Sequence, residues 1–197
     1  MKIVAATSNL HKLKEFRQIL TGHEILSAQE VGFFDDVEET GDTFRENALI
    51  KARALYRATG LAALADDSGL CVEALGGAPG VYSARYAQKY APEGFSSGTK
   101  DENNRKFLLK NLENQENRRA YFCCAAAFVS SEGEVVCEGR TYGTILREER
   151  GEGGFGYDCL FQSDELGVTF GEASEEQKNS VSHRGRALAE LIKKISA

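Results

Sequence analysis

The sequence predicts a mixed α/β fold in which a β-sheet is flanked by helices. In the first third of the chain, short apolar runs typical of buried strands alternate with segments of helical periodicity. A series of strand-like segments follows, and a segment of helical periodicity closes the chain, an order that favours one mixed sheet. Only two prolines occur and no flexible linker divides the 197 residues, so we predict a single domain over residues 1–197.

The first half of the chain is predicted to contain four strands and two helices. The strands are predicted at residues 3–6, 25–28, 61–65 and 70–75, and the helices at residues 10–20 and from 43 to about 58. Thr43 and Glu46 have the spacing of a capping box, in which each side chain accepts a hydrogen bond from the backbone of the other. Gly60 is expected to stop this helix, and Asp66-Asp67-Ser68-Gly69 is expected at the end of a strand.

The second half is predicted to contain five strands between two helices. The helices are predicted at residues 101–112 and from 182 onward, and the strands at residues 120–129, 134–137, 141–146, 160–162 and 168–170. A turn is expected at residues 130–133, between the first two of these strands. Residues 76–80 and 148–156 are rich in glycine and are expected to form a turn and a loop.

The charge balance restricts the class of ligand. The chain has 24 Lys and Arg and 30 Asp and Glu residues, which gives a formal net charge of −6. Because no basic excess is available to neutralise a phosphate backbone, we expect no nucleic-acid partner. A small anionic ligand remains compatible with this charge, since a few local Lys and Arg side chains can bind it.

Hydropathy and cysteine usage predict a cytoplasmic protein. The longest apolar run, residues 120–129, is ten residues long, whereas a membrane-spanning helix needs about 20. The N-terminus lacks the pattern of a secretory signal peptide. Five cysteines without a Cys-x-x-Cys pair are typical of small core residues in a reducing compartment.

The first candidate binding segment lies between the first predicted strand and the helix that follows it. Residues 7–12, with the sequence Thr-Ser-Asn-Leu-His-Lys, would place backbone N–H groups at a helix start, where they bind anions such as phosphate. Lys12 would add a positive charge one turn into the helix. The alternative is an ordinary capped helix on the surface with a solvated lysine.

The second candidate is the pair Asp66 and Asp67. Two adjacent carboxylates after an apolar strand are unfavourable to desolvate unless something pairs them, and a hard divalent cation would do so. Mg²⁺ takes one or two carboxylates together with phosphate oxygens and water, and Glu38 or Glu39 could supply a further ligand. The alternative is a turn with two solvated acids.

Two further segments could recognise the rest of a ligand. Residues 153–158 place glycines on both sides of two aromatic residues, so their backbone could set a ring against a flat ligand. Lys178 and residues 182–185 bring two cations and a histidine that could bind a purine edge or a phosphate. The alternatives are a tight turn with two core aromatics and a helix start with exposed basic residues.

Together these segments resemble one family, the inosine/xanthosine triphosphate pyrophosphatases, known as the Ham1 or RdgB-like family. The motifs occur in the family's order from residue 7 to residue 185. They are Thr7-x-Asn9-x-x-Lys12, Glu38-Glu39-Thr40-Gly41 with Thr43-Phe44-x-Glu46-Asn47-Ala48, Ala65-Asp66-Asp67-Ser68-Gly69-Leu70, Gly76 to Tyr86, Gly153 to Asp158, and Ser182-His183-Arg184-Gly185.

The resemblance implies a fold, an activity and partners. The fold would be an elongated mixed β-sheet flanked by helices, with two lobes and a central substrate cleft. The enzyme would hydrolyse the α–β phosphoanhydride bond of ITP, dITP and XTP to give the monophosphate and pyrophosphate, which removes deaminated purines from the nucleotide pool. It would use Mg²⁺, with Mn²⁺ as a substitute, and would form a homodimer.

The resemblance also assigns roles to particular residues. Asp67 would be the proton acceptor, and Glu38 and Asp67 would hold the metal. The substrate-binding residues would be Thr7, Ser8, Asn9, Leu10, His11, Lys12, Lys51, Ser68, Phe155, Gly156, Tyr157, Asp158, Lys178, His183 and Arg184.

One departure and two alternatives remain at this point. The family usually follows Gly-Tyr-Asp with proline, where this chain has Cys159, so the restraint that proline places on Asp158 is missing. One alternative function is a nucleotide pyrophosphatase with a different base preference, as in the Maf-like group. The other is a nucleotide-binding sensor without turnover.

Overall fold

A six-stranded mixed sheet forms the centre of the fold. The structure, a computed structural model, describes residues 1–95 and 97–196. The strands are β1 (Lys2–Ala5), β2 (Glu24–Ser27), β3 (Ala63–Val72), β4 (Arg119–Ser130), β5 (Gly133–Ile145) and β6 (Phe161–Ser163), in the order β2-β1-β3-β4-β5-β6. Strand β1 pairs in parallel with β2 and β3, and β5 pairs antiparallel with β6. The predicted mixed α/β class is therefore confirmed.

The described residues form six α-helices. They are α1 (Leu10–Ile19), α2 (Phe44–Thr59), α3 (Tyr86–Tyr90), α4 (Lys100–Asn111), α5 (Glu175–Val181) and α6 (His183–Ile195). The predicted capping box of α2 is present, because the Thr43 side chain accepts from the Glu46 N–H and the Glu46 side chain accepts from the Thr43 N–H. Gly60 ends α2 in the left-handed conformation, as the sequence predicts.

The chain divides into two compact units. The first contains residues 1–67, 124–139 and those from 183 onward, and the second contains residues 68–123 and 140–182. Strands β3, β4 and β5 each contribute residues to both units. The single domain over residues 1–197 and the central cleft stay predictions. Ser96 and Ala197, which fall within the predicted domain, lie outside the described residues.

In the core of the first unit, helices pack onto the sheet through two clusters, one with large apolar side chains and one made mainly of alanines. One cluster joins Phe16 of α1, Leu64 of β3 and Leu188 of α6, all of which are buried. A second cluster consists almost entirely of alanines, including Ala48 and Ala52 of α2. Because alanine side chains are short, α2 can approach the sheet closely, which sets the position of its polar side chains near β3.

The core of the second unit is aromatic. Its buried rings include Phe107 of α4, Phe122 of β4 and Phe161 of β6. The ring centroids of Phe122 and Phe161 are 4.7 Å apart in a tilted arrangement that is favourable for aromatic pairs. These packed rings support the loop that precedes β6.

Two strands are longer than the sequence predicts. Strand β3 runs through Asp66-Asp67-Ser68-Gly69 without a turn, so the prediction of two strands separated at that point is wrong. Strand β5 likewise runs through Gly139, where two strands were predicted. The strand predicted at residues 168–170 is an isolated bridge at Thr169, and helices α3 and α5 were not predicted.

Tertiary contacts explain why these two strands continue. The acids of β3 are paired by side chains that come from α1, α2 and α6, so they can be buried in the middle of a strand. At Gly139, a Cβ atom would overlap the His183 carbonyl oxygen at the start of α6. Glycine therefore marks a close approach between a strand and a helix here, and not a turn.

Hydropathy and thiol state add two observations. No helix in the described residues is long and apolar enough to cross a membrane. All five cysteines are free thiols, and four of them are buried.

Candidate active site

Strand β3 carries two adjacent acids whose surroundings differ. Asp66 is 1% exposed and Asp67 is 6% exposed, so both carboxylates are removed from bulk water. Side chains of successive strand residues point to opposite faces of a sheet, which gives the two acids different neighbours.

Asp66 is held by two cations. The Arg184 guanidinium donates to Asp66 Oδ2 from Nε at 3.1 Å and from Nη2 at 2.8 Å, and Lys12 Nζ donates to Oδ1 at 3.1 Å. Burial alone would raise the pKa of Asp66, but the charges of Arg184 and Lys12 hold it well below its usual range. Asp66 is therefore a permanent carboxylate that fixes both cations.

Arg184 lies at the start of α6 and is 1% exposed. Besides Asp66, its guanidinium binds the carboxylate of Glu15, a buried acid on α1. Burial opposes the charge of Arg184, but the two carboxylates raise its pKa further above the usual value. These two carboxylates hold the guanidinium in a fixed position at the start of α6.

Asp67 has weaker compensation for its burial. Asn47 Nδ2 donates to Asp67 Oδ2 at 3.1 Å, and Lys51 Nζ lies 3.7 Å from Oδ1. Burial raises the pKa of Asp67; the charge of Lys51 opposes this effect, and the negative charge of Glu39 adds to it. Asp67 is accordingly a better proton acceptor than an ordinary aspartate.

Lys51 connects Asp67 to the acidic loop before α2. Its Nζ donates to Glu39 Oε1 at 2.5 Å. Burial would lower the pKa of Lys51, but Asp67, Asp66 and Glu39 raise it overall, so the ammonium stays charged. The structure thus brings Glu39 to this cation, whereas Glu38, the predicted metal ligand, is exposed in the same loop.

The donor set here is compatible with a hard divalent cation. Within the part of the chain that the structure describes, no group of three or more His, Cys, Asp or Glu side chains could hold a metal ion. Asp67 and a glutamate of the acidic loop supply carboxylate oxygens, and Mg²⁺ needs only one or two of these when phosphate oxygens and water complete its shell. Asp66 is unsuited to this role because Arg184 and Lys12 already compensate its charge.

Residues 7–12 form an ordered turn into α1. The Asn9 N–H donates to Thr7 Oγ1 at 3.1 Å, and Asn9 Oδ1 accepts from the N–H groups of His11 at 2.9 Å and Lys12 at 3.3 Å. The predicted N-terminal cap of α1 is therefore present. Leu10 projects into solvent with 78% of its surface exposed.

In the second unit, Lys178 and Asp158 form a buried ion pair. Lys178 Nζ lies 2.7 Å from Asp158 Oδ2, and both side chains are 6% exposed. The same oxygen accepts from the Phe155 N–H at 2.9 Å, while the ammonium lies 4.8 Å from the centroid of the Phe155 ring. The pair fixes the predicted base-binding loop to helix α5.

Other contacts hold the same loop from α4 and from residue 83. The Gly156 N–H donates to Asp101 at 2.9 Å, and Arg105 Nη1 donates to the Gly156 carbonyl at 3.0 Å. The Tyr157 hydroxyl donates to the Ser83 carbonyl at 2.7 Å. The loop therefore has its own restraints in the absence of the family's proline.

Cys159 itself is part of the packed second unit. Its side chain packs against the aromatic core, and burial is the main reason that the pKa of its thiol is raised to about 11. At neutral pH this thiol is protonated, which agrees with a packing role.

The predicted site residues fall into two groups. Those of the first unit are Thr7, Ser8, Asn9, Leu10, His11, Lys12, Glu38, Lys51, Asp67, His183 and Arg184. Those of the second unit are Ser68, Phe155, Gly156, Tyr157, Asp158 and Lys178. His183 is buried at the start of α6, and Ser68 is half-buried next to Asp67 in β3.

Two functional neighbours were not predicted. Glu15 could have been suspected because it is an acid between the apolar positions Leu13 and Phe16, on the buried face of α1. Asn47, which is 1% exposed, stands within the motif that begins at Thr43 and has helical spacing to Phe44 and Lys51, which could have indicated its burial. Only the structure shows that each contacts a member of the site.

Comparison with known proteins provides independent information. A dITP/XTP pyrophosphatase of Thermoanaerobacter sp. (strain X514) is 47% identical over 195 residues, covering 97% of this chain and 94% of the relative. One from Geobacter sulfurreducens is 49% identical over 195 residues, covering 96% and 94%. The solved structure of the Staphylococcus aureus Ham1 protein has a TM-score of 0.84 at 39% identity, covering 100% of this chain and 98% of the other.

A second solved structure, a HAM1 protein from Coxiella burnetii, has a TM-score of 0.85 at 39% identity and covers 100% of this chain and 98% of its own. The sequence profile of the Ham1 family matches residues 3–194, nearly the entire chain. The motif order, the sheet and these likenesses agree, and the chain belongs to the Ham1 family.

Proposed function

We propose that this protein is a hydrolase that converts ITP, dITP and XTP to the nucleoside monophosphate and pyrophosphate. Full-length relatives named dITP/XTP pyrophosphatase support the reaction and the substrate class. The geometric observation that carries the assignment of the catalytic acid is a contrast in partners. Asp66 contacts Arg184 at 2.8 Å and Lys12 at 3.1 Å, whereas Asp67 contacts the Asn47 amide at 3.1 Å and lies 3.7 Å from Lys51 Nζ, so Asp67 is the candidate for proton transfer.

Asp67 would act as the proton acceptor. A water molecule attacks the anhydride between the α- and β-phosphates, its proton passes to an Asp67 oxygen, and pyrophosphate leaves with the bridging oxygen. Asn47 holds one carboxylate oxygen of Asp67 through its amide. The arrangement needs no covalent intermediate on the protein.

Lys12 and Lys51 would bind the triphosphate, together with the other residues of the segment 7–12. Each lysine is now paired with a carboxylate, Lys12 with Asp66 and Lys51 with Glu39. The lysines are thus held at fixed points before substrate arrives, and phosphate oxygens can share them without a long side chain being ordered at that moment.

Mg²⁺ would be held by Asp67 and a glutamate of the acidic loop, with Mn²⁺ as a substitute. The resemblance assigns this second ligand to Glu38, and its neighbour Glu39 is already paired with Lys51. When bound, the cation offsets negative charge on the triphosphate and on the departing pyrophosphate.

The base and sugar would be held by residues 155–158, Lys178, His183 and Arg184, and Ser68 would contact the substrate. Inosine and xanthosine present a 6-oxo acceptor, whereas adenosine presents a 6-amino donor. A buried cationic donor such as Lys178 favours the oxo group, and a mispaired buried donor costs about 1–3 kcal/mol. Arg184 is held by Asp66 and Glu15, as Lys178 is held by Asp158, so both cations would be fixed in place before the base binds.

The remaining properties are proposals from the resemblance and the composition. We propose a cytoplasmic homodimer that acts on free nucleotides and binds neither nucleic acid nor membranes. The net charge of −6 supports the exclusion of nucleic acid.

Product analysis tests the proposed function. ITP, XTP, ATP and GTP are incubated in parallel with the protein and Mg²⁺, and pyrophosphate and orthophosphate are measured separately. We expect pyrophosphate from ITP and XTP with little from ATP or GTP. A preference for modified pyrimidine triphosphates would indicate the Maf-like alternative, and binding without pyrophosphate release would indicate a sensor.

The variant Asp67→Asn tests the catalytic assignment. It keeps the shape of the side chain and removes its capacity to accept a proton, so we expect a loss of kcat of at least ~100-fold with an unchanged circular dichroism spectrum. Near-normal turnover would remove Asp67 from the roles of base and metal ligand.

A further inference from the structure

Asn47 makes two hydrogen bonds that connect separate parts of the first unit. It lies in the first turns of α2 and is 1% exposed. Its Nδ2 donates to Asp67 Oδ2 at 3.1 Å, and its Oδ1 accepts from the Gly41 N–H at 2.8 Å. Rotating the amide by half a turn would place two oxygens together and two donors together, so the two bonds select one orientation.

The packing around Gly41 holds the acidic loop against this amide. A Cβ atom at Gly41 would lie 2.6 Å from Glu46 Cβ and 2.8 Å from Asn47 Oδ1, distances too short for any side chain. Glu46 also accepts from the N–H groups of Asp42 and Thr43. The loop that carries Glu38 and Glu39 is therefore fixed to α2 immediately before the helix starts.

We propose that Asn47 is a positioning residue for hydrolysis, which sets the distance between Asp67 and the carboxylates of residues 38–39. This inference rests on the proposed role of Asp67. The buried amide of Asn47 binds the acidic loop through its oxygen and strand β3 through its nitrogen. Side chains that orient catalytic or metal-binding carboxylates commonly change activity or metal affinity about 10–100-fold when they are removed.

Helix α4 contains a close counterpart of Asn47 that has only the capping function. Its capping box, Thr99 and Glu102, is followed by Asn103, which is 8% exposed. Asn103 Oδ1 accepts from the N–H groups of Ser97 at 3.0 Å and Gly98 at 3.2 Å, as Asn47 Oδ1 does from Gly41. Its Nδ2 donates to the Gly98 carbonyl at 2.9 Å, where Asn47 has a carboxylate.

This counterpart allows the two functions of the amide to be separated. Asn→Asp keeps the acceptor for the loop N–H and replaces the donor by a second carboxylate oxygen, which at position 47 faces Asp67. Asn→Leu removes both donor and acceptor at similar volume without adding a charge. We would make both substitutions at Asn47 and at Asn103. The measurements are kcat and KM for ITP with saturating Mg²⁺, the dissociation constant of Mn²⁺ alone by electron paramagnetic resonance, and the midpoint of thermal unfolding.

We expect N47D to lower kcat at least ~10-fold with KM within about threefold, although the Gly41 N–H keeps its acceptor. We expect N47L to lower kcat similarly and to weaken Mn²⁺ binding about 10-fold. N103D and N103L should leave kcat within about twofold. Both leucine variants should unfold at lower temperature, since each removes a partner from loop N–H groups.

The outcomes separate this inference from the proposed function. If N47D matches the wild type in kcat and Asp67→Asn is inactive, Asn47 is only a helix cap, and Asp67 keeps its role. If the Asn103 variants lose kcat as strongly as those of Asn47, the loss reflects general instability, and the inference fails. An active Asp67→Asn enzyme would overturn the inference together with the assignment of Asp67. If N47L fails to fold, the kcat of N47D tests the inference, because this variant keeps the acceptor for the loop N–H.

Discussion

Asp66 and Asp67 are neighbours in one strand, and their side-chain partners give them different properties. Asp66 contacts Arg184 and Lys12 and remains ionised, while Asp67 contacts an amide and stands further from its cation, Lys51. We propose that the first acid supports the geometry of the site and that the second accepts a proton. Chemically identical residues are distinguished here by their neighbours alone.

The support given by Asp66 should be visible in stability. We expect Asp66→Asn to reduce the free energy of unfolding at pH 7 by about 3 kcal/mol, because it leaves the buried Arg184 and Lys12 without this counter-charge. Urea titrations of wild type and variant give the difference. As a control, Asp164→Asn removes a half-exposed partner of Arg119 and should change the free energy by less than about 1 kcal/mol.

The same difference should depend on pH in one direction. Because the pKa of Asp66 is lower in the folded protein than in the unfolded chain, its contribution is complete above the unfolded value of about 4 and falls as the pH decreases below it. We expect the difference between wild type and Asp66→Asn to be about 1 kcal/mol smaller at pH 3 than at pH 7. A difference that stays constant over this range would contradict the assignment of a charged Asp66.

At the scale of elements, local patterns predict helices better than long strands. The capping box of α2 and the apolar spacing of α2 and α4 are readable within a dozen residues, and the structure has both helices where expected. Strands β3 and β5 were each divided in two by the prediction, because acidic or glycine residues inside them resemble turns. Their partners lie far away in sequence, and no local pattern contains them.

The close approach of β5 and α6 gives a test at this scale. A Cβ atom at Gly139 would overlap the His183 carbonyl oxygen and lie 2.6 Å from the Ala187 nitrogen, both in α6. We expect Gly139→Ala to lower the free energy of unfolding by about 1–3 kcal/mol through overpacking, measured by urea titration.

The matched control is Gly22→Ala, where a Cβ atom would meet nothing within 4 Å. This variant should remain within about 0.5 kcal/mol of the wild type. Equal stability of both alanine variants would mean that β5 can move away from α6 without loss.

At the scale of the whole molecule, connectivity links the two compact units. Strands β3, β4 and β5 each continue from one unit into the other, so neither unit keeps its strands intact if the other unfolds. The single domain, predicted from the lack of a linker, is compatible with this continuity. A homodimer, which we propose from the resemblance, would add a dependence on protein concentration.

We therefore expect one cooperative unfolding transition in urea. Far-ultraviolet circular dichroism and tyrosine fluorescence, usable because the chain has no tryptophan, should give the same midpoint. The midpoint should rise with protein concentration if a dimer dissociates on unfolding. Two separated transitions would contradict the single domain, and a midpoint independent of concentration would contradict a stable dimer.

Part of the candidate site follows from sequence and part does not. The motifs around Asn9, Asp67 and His183 identify the segments, because each keeps its residue types and spacing within a short stretch. The burial of Arg184 and the partners of Glu15 and Asn47 could not be predicted, because they arise from contacts between α1, α2, β3 and α6. A side chain shows its type in the sequence, whereas its partner depends on how distant elements pack.

Three properties could be read from the amino-acid sequence alone: the mixed α/β class, the capped helix α2 and, through the ordered motifs, the resemblance to the Ham1 family. These are properties of local spacing, in which helix caps and apolar periods act over a few residues. Tertiary contacts determine the rest. They set which acid is paired with cations, which acid has the raised pKa, and which amide lies between the acidic loop and β3. Electrostatic environment depends on distance in space, and residues such as Asp66 and Arg184 are 118 positions apart along the chain.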